Sequence, residues 1–257
     1  KSLFFFFFSK PEVMIYIYRV YQWLIAIPLL LILTLLTCLV TAAHTLLAGH
    51  RSGAYWAPMV WSRCVCALCL IRVKVRGRKN IDRKQSYVFV ANHQGAFDIW
   101  AIYGYLGQPF KWLMKKSLEK VPFVGATCRY AGHVFVDDSS IQGIKDTINN
   151  AQHTLKEGMS VVIFPEGSRT YDGHMIPFKR GAFMLAAEFK LPVVPITIDG
   201  AFKAMPRNTR NITPCTITLS IHQPIYPGEN GFNTKRLMAD CRTAINSALP
   251  PEHKDAT

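Results

Sequence analysis

Acidic residues are scarce in this 257-residue chain, which has 16 Asp and Glu against 30 Lys and Arg and a formal net charge of +14. None of the 16 falls between Glu12 and Asp82, and residues 20–43 carry no charge of either sign. A soluble core helix seldom stays uncharged around its whole circumference for about six turns. The stretch therefore reads as a membrane helix, long enough at 1.5 Å per residue to cross about 30 Å of hydrocarbon, with Pro28 at a kink. It is longer than the apolar region of a cleaved signal peptide, about 7 to 15 residues. Also missing are a second cysteine pair or histidine cluster to complete a zinc site with Cys66 and Cys69, any internal repeat, any low-complexity linker and any recognisable nucleic-acid module. The seven cysteines, Cys38, Cys64, Cys66, Cys69, Cys128, Cys215 and Cys241, are odd in number, and four lie in apolar segments. They read as free thiols of a reducing compartment. No methionine precedes Met14, and the opening Lys1-Ser2-Leu3 before Phe4 to Phe8 reads as a non-native extension over residues 1–13.

Half of the residues are hydrophobic, which excludes a disordered polybasic tail and allows a sizeable core. The basic excess fits nucleic acid, an anionic membrane surface or an acidic substrate. Its distribution narrows the choice. A second apolar stretch, 54–71, holds Pro58 and Arg63 and makes a poor span, because a mid-bilayer Arg costs about 2.5 to 3.5 kcal/mol. With Tyr55, Trp56 and Trp61 at its start, it reads as a helix in the headgroup region or the partner arm of a re-entrant hairpin. Between Arg51 and Lys84 nine basic residues face one acidic residue, Asp82, so more than half of the net charge sits here. Beside membrane-seeking helices such a band attracts anionic lipid, by about 1 kcal/mol per charge, and places this side in the cytoplasm.

From residue 71 onward short β-like runs at 71–75, 87–91, 111–114, 134–136, 161–164, 193–198 and 216–221 alternate with helical periodicity. The helices are 141–157, with Ser139 or Ser140 as N-cap and Gly158 as its stop, then 181–190 and 234–248. This pattern predicts an α/β fold: one domain over 72–250 with a mixed, largely parallel sheet covered by helices, an N-terminal helical membrane anchor over 14–71, and a tail at 251–257.

Asn92-His93-Gln94-Gly95-Ala96-Phe97-Asp98 ends the second of these strands. A histidine leaving a buried strand, with a carboxylate five residues on, suits an acid/base pair in which Asp98 holds one ring nitrogen and the other faces substrate. A structural histidine bonded to a helix-capping Asp has the same pattern. After the 161–164 run comes Phe164-Pro165-Glu166-Gly167-Ser168-Arg169-Thr170, then Phe178-Lys179-Arg180-Gly181. Gly167 permits close backbone approach, Arg169 offers a planar fork for phosphate, and Glu166 can orient that Arg or a substrate hydroxyl. A turn with a surface salt bridge is the alternative. In Val194-Pro195-Ile196 the proline points to an edge strand or the wall of an apolar cleft.

These elements, in this order, resemble the 1-acylglycerol-3-phosphate acyltransferase family of bacterial type over nearly the whole span from Val73 to Pro224. The His-x4-Asp block is Asn92 to Asp98, the Glu-Gly-Ser/Thr-Arg block is Glu166 to Arg169, and the Val-Pro-Ile block is Val194 to Ile196. The family lysine about twenty residues after the catalytic histidine is similar to Lys115, and a two-helix membrane motif belongs to the family as well.

The resemblance implies transfer of a fatty acyl group from acyl-CoA or acyl-carrier protein to lysophosphatidate, giving phosphatidate in phospholipid biosynthesis. His93 would be the general base and Asp98 its support, with no acyl-enzyme, metal or cofactor. Glu166, Gly167, Ser168, Arg169, Lys179 and Arg180 would bind the acceptor, Lys115 and Asn92 would lie on the thioester side, and Val194, Pro195 and Ile196 would wall the acyl cleft. It places the protein at a bacterial inner membrane, its catalytic domain on the cytoplasmic face, with an anionic bilayer as partner and no nucleic acid. One block departs: Gly132-His133-Val134-Phe135-Val136-Asp137-Asp138 has Asp138 where the family has the Arg implicated in acceptor phosphate binding. Other cations, Arg169, Lys179, Arg180 and Arg129, would then hold the phosphate, or the acceptor is glycerol-3-phosphate or a phosphate-free lyso-lipid. A non-enzymatic membrane-associated lipid-binding protein is a further alternative.

Overall fold

The structure is a computed structural model that describes residues 11–136, 147, 149, 151, 159–226 and 233–255. Asp138, most of the 141–157 helix with its caps, and residues 1–10 lie outside the described residues, although Thr147, Asn149 and Ala151 are helical.

The chain begins with α1 (Pro11–Tyr21), passes through a π-helical turn (Gln22–Ala26) and continues into α2 (Ile27–Leu68). A straight helix would separate residues 27 positions apart by about 40 Å. Trp61 Nε1 nevertheless donates to Thr34 Oγ1 at 3.1 Å. Tyr21 likewise donates to the Leu68 carbonyl and Tyr18 to that of Cys69, both at 2.9 Å, so α2 doubles back and its second arm lies antiparallel to the first. The proline at 28 falls in the first turn of α2, where its missing N–H costs little, and the change of helical pitch comes just before it. Glu12–Leu47 is long and apolar enough to cross a membrane, with a mean hydropathy of 2.7 over its best window, and only 11% of that window is buried inside the protein.

Among the described residues seven strands follow: β1 (Arg72–Arg76), β2 (Val88–Ala91), β3 (Phe110–Lys115), β4 (Val134–Val136), β5 (Ser160–Ile163), β6 (Val193–Asp199) and β7 (Thr216–Ile221). They form one sheet in the order β1-β7-β6-β2-β5-β3-β4, parallel at every neighbour except β6 with β7. The helices are α3 (Phe97–Tyr105), α4 (Val124–Tyr130), α5 (Gly181–Phe189), α6 (Ala201–Ala204) and α7 (Thr234–Ser247). One face of the sheet packs Phe89, Val194, Ile196 and Ile198 against α3 and the second arm of α2. The opposite face packs Val88, Val90, Val161 and Val193 against α5 and α7. Strands buried on both faces read as continuous apolar runs, which is why 87–91 and 161–164 are visible in sequence.

Two basic residues counted in the 51–84 band join elements instead of facing lipid alone. Arg63 Nε donates to the Gly104 carbonyl at 2.8 Å and Arg78 to that of Tyr105 at 2.6 Å. Both satisfy carbonyls left unpaired at the C-terminus of α3, where a cation also suits the helix dipole. Arg72, Lys74 and Arg76 remain exposed along β1.

Candidate active site

The five mutually parallel strands β6, β2, β5, β3 and β4 point their C-terminal ends to one edge of the sheet. β2 stands at the centre, and its connection runs towards β3 on one side while that of β5 runs to β6 on the other. The two loops therefore diverge at this edge, where open α/β sheets place ligands. His93 leaves β2 here. Its Nδ1 lies 2.7 Å from Asp98 Oδ2, which also accepts the Gly95 amide at 2.9 Å. Asp98 sits in the first turn of α3 and is fully buried, while the His93 side chain keeps 14% of its surface. The carboxylate thus fixes the tautomer with the proton on Nδ1, and Nε2 has no protein partner among the described residues. Phe164 stacks on the imidazole, with centroids 4.0 Å apart and planes 9° from parallel, so the ring plane is fixed as well. Gly95 is required at its position because a Cβ would come within 2.2 Å of the Ala201 carbonyl oxygen.

The 164–180 loop is tied to the histidine turn through the backbone. Thr170 N–H donates to the His93 carbonyl at 3.0 Å, and the His93 N–H donates to Glu166 Oε1 at 2.8 Å. Glu166 Oε2 accepts the Ile176 amide at 3.0 Å. Glu166 is therefore a buried clamp between two loops, not a group facing the acceptor as its sequence position suggested. Burial pushes its carboxyl from an ordinary 4.5 up to about 7, against the opposing pull of the two amides. Gly167 follows with φ +72, and the space its Cβ would fill lies 3.0 Å from Lys179 Cε. Lys179 is in turn held by its amide on the Pro165 carbonyl at 2.8 Å. Ser168 and Arg169 are partly exposed on the same loop, and Arg180 is exposed at the start of α5. The structure thus gathers His93, Asp98, Glu166 to Arg169, Lys179 and Arg180 at one edge, with Lys179 and Arg180 exposed and Arg169 partly so.

Other expected site residues stand elsewhere. Asn92 is fully buried, and its amide accepts from Ile198 N at 2.7 Å and donates to Ile198 O at 2.9 Å. It ties β2 to β6 and presents nothing to a thioester. Val194 and Ile196 are fully buried core residues against α3 and do not wall a cleft. Pro195 is not on an edge strand, since β6 lies between β2 and β7. Its carbonyl accepts His222 N–H at 3.0 Å, so its missing donor faces β7 between Ile221 and Ile225, where that ladder is interrupted and needs none. Lys115 ends β3, exposed and two strands or about 10 Å from the strand of His93. Arg129 pairs with Glu119 at 2.8 Å on exposed α4.

Three features of the site rest on contacts between residues far apart in the chain. Arg207 donates to the Arg169 carbonyl at 2.9 Å with its guanidinium 4.2 Å above the Tyr171 ring, adding a cation beside the loop. Arg242 on α7 donates at 2.8 Å to the carbonyls of Met175 and Ile176 and to Asp255, so it holds the segment whose amide holds Glu166. Finally, Trp112 stacks on Phe164 and gives its amide to His133 Nδ1 at 3.2 Å. His133 therefore carries its proton on Nε2, donated to Tyr103 Oη at 3.2 Å. Burial, with the Lys111 ammonium nearby, depresses it to about 3 and keeps it neutral. His133 also lines a cavity of about 80 Å³ shared with Thr34, Cys38 and Trp61 of α2 and Thr127 and Cys128 of α4. Arg207 and Arg242 carry no local sequence signal, whereas His133 and Phe164 stand in the quoted blocks and only their contacts, made with residues far apart in the chain, are invisible in sequence.

A sequence profile of the Acyltransferase family matches residues 72–199. A 1-acyl-sn-glycerol-3-phosphate acyltransferase of Chlamydomonas reinhardtii is 31% identical over 236 residues, 90% of this chain and 68% of that protein. The chain belongs to the 1-acyl-sn-glycerol-3-phosphate acyltransferase family. Family members from Brassica napus (chloroplastic) and Saccharomyces cerevisiae are 34% and 36% identical over 69% and 60% of this chain, which spans 51% and 52% of their lengths. The crystal structure of the 1-acyl-sn-glycerophosphate acyltransferase PlsC of Thermotoga maritima has the same fold, with a TM-score of 0.72 over 91% of this chain and 94% of that one at 24% identity. Within this family member the matched profile includes the His93 and Glu166 blocks, whereas Arg207 and Arg242 lie beyond it.

Proposed function

We propose that this chain transfers a fatty acyl group from acyl-CoA or acyl-carrier protein to the free hydroxyl of lysophosphatidate, giving phosphatidate. The observation that carries this reading is the His93 imidazole, locked by Asp98 and Phe164 with Nε2 without a partner among the described residues, beside a loop that carries Arg169, Lys179 and Arg180 and to which Arg207 bonds. Nε2 takes the proton of the acceptor hydroxyl as the oxygen attacks the thioester carbonyl, and the buried Asp98 carboxylate stabilises the imidazolium. The C–O bond forms, the C–S bond breaks, and the leaving thiolate takes the proton back. Such general-base assistance contributes about 10² to 10⁴ in rate, and holding two amphiphiles at attack distance contributes the rest. The cations replace the arginine that Asp138 displaces and would hold the phosphate.

The site works at a membrane surface, on the side that carries the basic residues, which by the positive-inside bias is cytoplasmic. The acyl chain of the donor would lie towards the apolar cavity between α2 and α4, which His133, Trp112 and Phe164 connect to the imidazole. A panel of acceptors offered to purified protein with defined thioesters tests the reading. Acylation of lysophosphatidate is expected. Strong transfer to a phosphate-free lyso-lipid with none to lysophosphatidate would favour the reading that Asp138 motivates.

A further inference from the structure

The loop joining β3 to α4 carries a feature that acyl transfer does not use. It leaves the same sheet edge as His93, separated from it by β5 alone. Every residue from 115 to 124 except Glu119 is exposed, and the exposed set includes Leu118 (43%), Val121 (40%), Phe123 (68%) and Val124 (36%). A contiguous apolar patch of this kind marks an interaction surface. Phe123 is its extreme. With φ 60° and ψ −48° it is the centre of a γ-turn in which Val124 N–H donates to the Pro122 carbonyl at 2.6 Å. That conformation is rare and strained for a residue with a side chain. The turn is braced from behind: Gly125 donates to the Val121 carbonyl, and a Cβ on Gly125 would lie 2.1 Å from the Glu119 carbonyl oxygen. A strained backbone thus holds a large aromatic outward, the reverse of what packing would select.

The surroundings say what this tip meets. Lys115 and Lys120 are exposed around it, and the carboxylate within the 115–124 loop, Glu119, is paired with Arg129. Behind the tip, Val124, Thr127 and Cys128 share a cavity wall with Thr34, Thr37 and Cys38 of the apolar Glu12–Leu47 helix, so the tip continues the membrane-seeking surface. Apolar side chains ringed by cations and continuous with an apolar helix fit the headgroup and acyl boundary of an anionic bilayer.

We propose that the 115–124 loop is a second, shallow membrane-insertion element. Phe123, Leu118 and Val121 enter the lipid interface, the lysines meet lipid phosphates, and the edge of the sheet that carries His93 is thereby held against the surface from which a lyso-lipid is taken. This rests on the membrane-substrate reading above. Two variants test it separately. Phe123→Gly suits the positive φ, so its melting temperature should equal or exceed that of the unaltered protein. Its transfer to long-chain lysophosphatidate in phosphatidylcholine vesicles containing phosphatidylglycerol should fall about 10-fold through KM, while transfer to a short-chain lysophosphatidate dissolved as monomer is unchanged. A lowered melting temperature, an equal loss on both substrates, or no loss on vesicles would overturn the proposal. Phe123→Trp requires no turnover. The emission it adds should shift to the blue on those vesicles and be quenched by lipid brominated near the headgroup, whereas added emission that stays red and is quenched by aqueous iodide would overturn it. If lysophosphatidate is not acylated at all but the quenching is seen, the substrate reading falls and the insertion element stands.

Discussion

Strand β2 hides Val88, Phe89, Val90 and Ala91 completely, whereas the N-terminal hairpin turns Leu24, Leu31, Leu39 and Leu47 outward with 63 to 88% of their surface exposed. Both are apolar runs, but the sheet buries its side chains in protein and ties its polar atoms to one another, as Asn92 does with Ile198 and Glu166 with His93. In the first arm of the hairpin the apolar atoms face outward, and the hydrogen bonds run inward to the second arm and to the 210–212 segment, through Arg19, Gln22 and Thr34. The two regions are built for two solvents, and the edge of the sheet that carries His93 lies next to the place where they meet.

The largest expected effects separate the two regions outright. His93→Ala should lower kcat by about 10² to 10⁴ while far-UV circular dichroism and vesicle binding are unchanged. Retained turnover would remove the imidazole from the chemistry. Changing Leu31 and Leu39 together to Asp should do the opposite. Each charge at bilayer depth costs about 2.5 to 3.5 kcal/mol, and both positions face away from the protein. The variant should float free of vesicles in flotation assays yet keep the fold of the α/β domain. If it still floats with lipid, the first arm of the hairpin is not the anchor.

Smaller effects test how the catalytic edge is held. Glu166→Gln cannot accept from both the His93 and Ile176 amides, because one of its terminal atoms is a donor, and should cost about 1 to 3 kcal/mol in transition-state stabilisation or a 5- to 150-fold loss in kcat/KM. It also has a pH signature. The folded state keeps the Glu166 proton up to about 7, whereas the unfolded chain loses it near 4.5. Raising pH through that window therefore destabilises the native protein, by on the order of 3 kcal/mol, and the glutamine variant should lack this slope in melts from pH 4.5 to 7. Arg242→Gln removes the donors that hold the Met175 and Ile176 carbonyls and a positive charge that favours ionised Glu166. It should lower kcat several-fold and extend the Glu166 slope to higher pH, and a lowered kcat with an unchanged slope would separate Arg242 from this clamp.

Much of this architecture was legible in the sequence because short-range patterns specify it. All seven strands lie within a residue or so of their apolar runs, and the His93 and Glu166 blocks sit in the turns that follow two of them. What was not legible depends on distance. Pro195 suggested an edge strand because a missing donor is visible in sequence, while the interrupted β7 ladder that excuses it is not. Asn92 and Glu166 are polar residues at a site, and only the fold reveals that their polar atoms are consumed by the backbone amides of Ile198, His93 and Ile176. Arg242 holds the 175–176 segment from 66 positions away and lies in no block.

Arg63 tests the seam between the regions with the smallest effect. As part of a basic band it would meet lipid, but it donates to the Gly104 carbonyl and its guanidinium lies 5.6 Å over the Tyr105 ring, joining the second arm of α2 to the C-terminus of α3. One hydrogen bond to a helix end together with a cation–π contact is worth about 1 kcal/mol. For a chain of this size that corresponds to a melting temperature about 2 to 4 °C lower in Arg63→Ala. Binding to anionic vesicles should be unaltered, because the cation is used inside the protein, whereas Lys74→Ala on exposed β1 should weaken vesicle binding slightly and leave the melting temperature alone. If Arg63→Ala instead lost vesicle affinity at constant melting temperature, this arm of the hairpin would face lipid headgroups, and the boundary between the two solvents would run along α3.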